Sequence, residues 1–236
     1  MKNFLAFLAL LLFCIILFYI ASGPKFTESG SSTIDYLRHK IAPERVQLPV
    51  AESLTQCEGA PFVVPTDGWI GVLYADSILG TTNHSGLDIF GLEGNGVTPV
   101  YAAYDGYLTR LPEWTSAVII RHPQDPLNPD QQIWTYYTHL ADADGNSYIL
   151  PQIEPGTYEL PVQQGSLLGY QGDYTSNPWG IDTHLHFSIV RDNGSGQFLN
   201  ETDIANTLDP SPYLGMRLNT TCGDRPPVCR PDFYCP

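Results

Sequence analysis

From residue 57 onward, apolar positions gather in short β-branched and aromatic runs cut by turn residues, too short for helices. PFVVP, GWIGVLYA, GVTPVYAAYDGYLTRL, SAVIIRH, QIWTYYTHL, GSLLGYQG and HLHFSIVR follow one another, rich in β-branched and aromatic residues and cut by turn formers. Such runs fit pleated strands, whose side chains point to opposite faces in turn. No long amphipathic helix competes with them, so the pattern predicts an all-β domain over 57–215. The Asp105-Gly106 pair, between PVYAAY and YLTRL, predicts a hairpin. The stretch 141–160, ADADGNSYILPQIEPGTYEL, is acidic and turn-rich, and predicts a long loop or an added hairpin walling a cleft.

The flanks read differently. Residues 4–21 are without charge, and 18 residues of helix span about 27 Å, close to the bilayer core. The run predicts an N-terminal membrane helix over 1–22, retained as an anchor because it exceeds the usual apolar region of a signal peptide; if it is cleaved, the domain is secreted. Residues 23–56 mix small, polar and charged types and predict a linker, with one helical turn around IDYLRHKI and a solvated His39. Residues 216–236, ending NTTCGDRPPVCRPDFYCP, are too short and proline-rich for a domain and predict a cysteine-pinned tail.

Charge and cysteines narrow the setting. Acidic residues outnumber basic ones by 25 to 11, which disfavours a nucleic-acid partner, since phosphate binding needs a basic surface. Cys14 lies within the apolar run. The four remaining cysteines, Cys57, Cys222, Cys229 and Cys235, lack the tight paired spacing of a zinc ribbon and predict disulfides, hence an extracytoplasmic domain, with three pairings open. The chain carries no phosphate-binding loop, dinucleotide fingerprint or nucleophile elbow.

The chemistry gathers on histidines. Four of the six fall in three clusters, NHSGLD, YYTHL and THLHF, with an aspartate four positions after the first. In THLHF, alternation puts His184 and His186 on one strand face, about 7 Å apart along the chain, while Leu185 and Phe187 turn to the other. One imidazole could hold a metal while the other reaches a water or substrate oxygen; spacing does not choose between them. His84 and Asp88 bring a second imidazole and a carboxylate, with Gly86 between them allowing a bend. His122, after a strand and before a proline, reads as a surface turn.

These clusters, in this order, resemble the lysostaphin-type (LytM-like) zinc metalloendopeptidases, which carry His-x-x-x-Asp, a later Tyr-x-His-Leu and His-x-His. The resemblance spans roughly residues 60–192, including HSGLDIFGLEGNGVTPVYAAYDGYL and QGSLLGYQGDYTSNPWGIDTHLHFSIV. It implies a twisted antiparallel sheet with a loop-walled groove. It also implies Zn2+ on His84, Asp88 and His186, with His139 and His184 as the catalytic pair and Tyr74 as the nearest upstream tyrosine able to assist. The implied function is hydrolysis of peptide bonds in peptidoglycan. The alternatives are a non-catalytic wall-binding or regulatory protein of the same fold, and a carboxypeptidase or amidase, against which the short His84–Asp88 spacing and His-x-His argue. The insert at 141–160 and NPWGID before the last motif depart from the family pattern and bear on the groove walls.

Overall fold

Apart from PFVVP at 61–65, which is irregular, the runs do form strands, and their register decides which side chains share a face. The computed structural model describes residues 10, 11, 13, 14, 31–44, 46–77, 83–222 and 229. Eleven strands among them are β1 (Val50–Ala51), β2 (Gly68–Val72), β3 (Leu87–Phe90), β4 (Pro99–Tyr101), β5 (Gly106–Thr109), β6 (Val118–His122), β7 (Ile133–Thr138), β8 (Leu160–Val162), β9 (Leu167–Tyr170), β10 (His184–Arg191) and β11 (Thr207–Leu208). Two α-helices accompany them, α1 (Ser32–Ile41) and α2 (Ser211–Leu214). The main sheet runs β1-β2-β3-β10-β7-β6-β5-β8, with β11 also on β10, and β4 and β9 form a separate ribbon. Every strand pair is antiparallel.

β10 is the centre of this arrangement. His184, Leu185, His186 and Phe187 pair with Phe90, Ile89, Asp88 and Leu87 of β3, and on the other side His186 and Phe187 face Thr138 and Tyr137 of β7. Residues opposite each other across a ladder point the same way. Leu87, Ile89, Leu185, Phe187 and Tyr137 therefore enter one core with Leu108, Val118 and Ile120 of the sheet and Val100 and Leu168 of the ribbon. The two layers are joined where Ala103 N donates to the buried Tyr137 hydroxyl at 2.8 Å.

Asp88, Phe90, His184, His186, Tyr136 and Thr138 take the opposite face. Two small clusters cover its ends. At one, Tyr36 of α1 stacks on Phe90 with ring centroids 3.8 Å apart, and Val72 and Leu48 pack beside them. At the other, Phe198 and Leu199 from the loop after β10 pack with Ile119, Trp134, Val190, Trp114 and Tyr136. Asp88, His184 and His186 lie between these two clusters.

Several expectations need correction. Asp105-Gly106 makes no β4–β5 hairpin, because β4 pairs with β9 while β5 pairs with β6 and β8. The turn carries the chain from ribbon to sheet, and Gly106 lies so near Arg121 that a Cβ would be 2.4 Å from that carbonyl oxygen. The 141–160 stretch sends Ile149 and Ile153 into the main core, and the buried Arg110 binds the Ile153 carbonyl and Ser147 Oγ. It does not wall the groove.

The 23–56 stretch, expected as a linker, holds a ten-residue helix fastened to the domain. Ser31, Ser32 and Thr33 donate to Asp76, while Tyr36 and Lys40 reach Asp182. His39 is not simply solvated, since it bonds the Val46 carbonyl and lies edge-on to Trp69. Met216 and Leu218, placed in the tail by sequence, belong to the core.

Cys57 and Cys229 form a disulfide across 172 residues. No helix among the described residues is long and apolar enough to cross a membrane. The apolar run at 4–21 lies outside those residues except for 10, 11, 13 and 14.

His122 is no surface turn. It is 1% exposed, bonded to the Asp105 carbonyl and Thr135 Oγ1, and burial pushes its pKa from 6.5 down to about 4. The native state thus binds fewer protons than the unfolded chain between those values. Stability contributed by this group is intact above about pH 6.5 and declines as pH falls toward 4, by up to about 3 kcal/mol. Denaturant titrations at several pH values should show a shallower acid loss for His122→Gln than for the parent protein; parallel curves would count against this role for His122.

Candidate metal centre

Three atoms that could together hold a metal ion meet above β3 and β10. His84 enters from the loop before β3, where its amide donates to the Asp76 carbonyl and its own carbonyl accepts from Ala75. His84 Nδ1 donates to the Leu73 carbonyl at 3.0 Å, leaving Nε2 as the lone-pair atom. That Nε2 lies 3.1 Å from Asp88 Oδ1 and 3.1 Å from His186 Nδ1, and the last two atoms are 2.8 Å apart. Ligands at about 2.0–2.1 Å from one tetrahedral ion sit about 3.3 Å from each other, so the triangle fits a single zinc-sized cation.

Electrostatics agree with the geometry. Burial alone would raise the Asp88 pKa, but the neighbouring His84, His184 and His186 outweigh it and hold this carboxyl well below its usual range. Burial opposes charge on His186 also, yet Asp88 and Glu201 together raise its pKa to about 10. The spot between these groups favours positive charge.

The approach of β3 to β10 explains Gly86. A Cβ there would lie 2.5 Å from the Phe187 carbonyl oxygen and 2.8–2.9 Å from Cε1 and Nε2 of His186. The glycine is needed less for a bend than for room beside the ligand ring.

Two further imidazoles stand beside the triangle. β7 ends at Thr138, and His139 turns out of it with φ of 70°, a left-handed conformation costly for residues with a Cβ and often found where function requires it. Its ring centroid is 4.5 Å from that of His184. His139 Nδ1 donates to the Tyr174 carbonyl and His184 Nδ1 to the Asp182 carbonyl, each at 2.7 Å. Both rings therefore leave Nε2 without a proton. Burial and the nearby His184 push the His139 pKa down to about 4, and burial lowers that of His184 despite Asp88.

The triangle lies in a cavity of ≈ 800 Å³ whose lining includes Tyr136, Thr138, His139, Tyr174–Ser176, Glu201 and Thr202. Its walls come from Thr33 of α1, Asp76, 83–85, 174–176 and 201–202. Tyr74 does not line it: the residue is buried, its hydroxyl 3.4 Å from Thr207 Oγ1 and its backbone paired with Leu218 and Thr220. Tyr136, which sequence reasoning passed over, does line it, with a phenol kept protonated by burial and by Glu201 (pKa about 12). Its signal was two residues upstream of Thr138 on β7, where alternation puts it on the ligand face. Glu201 had no comparable signal, because it lies in a loop.

No protein-family model and no curated protein matches the chain. Among solved structures it is similar to the catalytic domain of the antimicrobial peptidase lysostaphin from Staphylococcus simulans, at 23% identity and a TM-score of 0.40, over 61% of this chain and 90% of that one. LytU is similar at 18% identity and a TM-score of 0.38, over 66% and 85%. Csd3 of Helicobacter pylori is similar at 16% and 0.42, over 66% of this chain and 35% of that one, so this chain spans about a third of Csd3. The roles of individual residues rest on the side-chain geometry above.

Removing one ligand and crowding another should both be visible in metal binding. His84→Ala should abolish stoichiometric zinc in the purified domain. Gly86→Ala should weaken zinc at least about tenfold by displacing the His186 ring, an order expected for disturbed ligand orientation. Zinc competition against a chromophoric chelator reads both, and parent-like affinity in Gly86→Ala would show that the ring has room to yield.

Proposed function

We propose that this protein is a zinc-dependent endopeptidase acting on peptide bonds of peptidoglycan. The observation that carries the reading is the convergence of His84 Nε2, Asp88 Oδ1 and His186 Nδ1 beside two imidazoles with open Nε2 atoms. Zinc held there by His84, Asp88 and His186 would supply Lewis acidity and make water more acidic.

The chain's residues supply the remainder. His139 and His184, neutral and fixed by their backbone acceptors, offer Nε2 to take a proton from the attacking water. Protonated, either can pass that proton to the departing amine, or stabilise negative charge on the carbonyl oxygen. The Tyr136 hydroxyl, protonated and facing the same cavity, is a further donor for that oxygen. Asp88 reduces the net positive charge at the metal relative to an all-histidine set, which makes a neighbouring base useful.

The motif order supports peptidoglycan as the polymer. The disulfide between Cys57 and Cys229 is consistent with an oxidising compartment, and the apolar run at 4–21 would hold the domain outside a membrane, near such a wall. Neither a nucleic-acid substrate nor a basic binding surface is suggested by an excess of 14 acidic charges.

His184→Ala should retain zinc but lose about 10²–10⁴-fold in turnover, the usual worth of a general acid–base group. Zinc-loaded protein incubated with purified cell wall should split cross-linked muropeptide dimers, read by mass spectrometry. Loss of single terminal residues would instead indicate a carboxypeptidase, and failure on every wall type would defeat the hydrolase reading.

A further inference from the structure

The second nitrogen of each histidine at the site distinguishes His186 from the others. His84, His139 and His184 each fasten Nδ1 to a backbone carbonyl, of Leu73, Tyr174 and Asp182. These bonds fix the tautomer and aim Nε2 at the centre. His186 is turned the other way, with Nδ1 in the ligand triangle. With Nδ1 given to a metal, Nε2 would carry the ring's hydrogen, and that atom is sealed from solvent without a well-formed hydrogen bond. A buried donor left without an acceptor is costly.

One carboxylate is in position to receive it. Glu201 Oε2 lies 3.4 Å from His186 Nε2. The same oxygen is 3.4 Å from the hydroxyl of Ser85, next to the first ligand. The loop bearing Glu201 is organised independently of its carboxylate. Asn200 Oδ1 accepts from the amide and hydroxyl of Thr202, the Asn200 carbonyl accepts from Asn206, and Phe198 packs on Trp134 with centroids 5.4 Å apart. These contacts deliver the side chain to the back of the His186 ring, opposite the metal triangle.

We infer that Glu201 is a positioning residue for the metal centre, accepting the His186 Nε2–H so that Nδ1 is presented to the metal. The inference rests on the metal-centre reading of His84, Asp88 and His186, and does not depend on the reaction catalysed. A carboxylate behind a ligating imidazole fixes ring orientation and raises the basicity of the ligating nitrogen, and losing it typically costs 10–100-fold in metal affinity. Because Glu201 lies beyond the segment carrying the three histidine motifs, this support belongs to the loop after β10.

Zinc affinity measured by chelator competition on full-length parent, Glu201→Ala and Glu201→Gln protein tests the idea. Glu201→Ala should bind zinc 10–100-fold more weakly. Glu201→Gln, whose amide oxygen can accept the same hydrogen, should stay within a few-fold of the parent. The cobalt-substituted protein should show a changed visible spectrum in Glu201→Ala alone, while metal-free melting temperatures agree. Proton NMR of the zinc-loaded parent should show a slowly exchanging imidazole N–H from His186, a readout that requires no variant. Equal zinc affinity in parent and Glu201→Ala, equal weakening in both variants, or a rapidly exchanging His186 N–H in the parent would each overturn the assignment. A parent that binds no zinc would overturn the metal-centre reading as well, which the other three outcomes leave standing.

Discussion

The antiparallel register of β10 between β3 and β7 is the constraint on which the site depends. His186 opposite Asp88 puts two candidate metal ligands on neighbouring strands at ladder spacing, and the same pleat sends Leu185 and Phe187 into the core. A slip of one residue would exchange these faces, burying imidazoles among Leu87, Ile89 and Tyr137 while exposing leucine and phenylalanine. Burial of apolar side chains on one face thereby holds polar groups in place on the other. Packing and chemistry are specified by a single alignment.

Electrostatic tension is concentrated on the uncovered face. Asp88, His184 and His186 are each less than 10% exposed, and burying charge is costly unless it is compensated by partners. Compensation here is mutual, since the histidines hold Asp88 ionised and Asp88 with Glu201 favours positive charge on His186. His139 and His184 experience the same burial without a bonded carboxylate of their own, which keeps them neutral and suited to accepting protons.

The two ends of the groove are built from chain outside the histidine motifs. α1 binds Asp76, whose carbonyl accepts the His84 amide, and also Asp182, whose carbonyl accepts His184 Nδ1. One helix thus braces the backbone before the first ligand and before the last motif. At the far end Phe198 anchors the loop that carries Glu201. The exposed Trp179 marks the rim of the 174–180 loop, whose Tyr174 carbonyl fixes His139. Loops that close the groove also set the tautomers inside it.

Local pattern sufficed wherever a single strand carried the information. Alternation in HLHFSIV determined that His184 and His186 share a face, and the β-branched runs determined an all-β domain, because pleat periodicity is a property of each segment. Composition in the same way separated the chemistry-bearing histidines from the flanks. Tertiary structure decided what depended on partners distant in sequence: that His186 supplies Nδ1, that Asp105-Gly106 joins two sheets instead of closing a hairpin, that His122 is buried, that Tyr74 is turned from the cavity, and that Glu201 stands behind a ligand 15 positions before it in the chain. Strand periodicity says which way a side chain points, but which atoms it meets is set by pairing and packing across the whole domain.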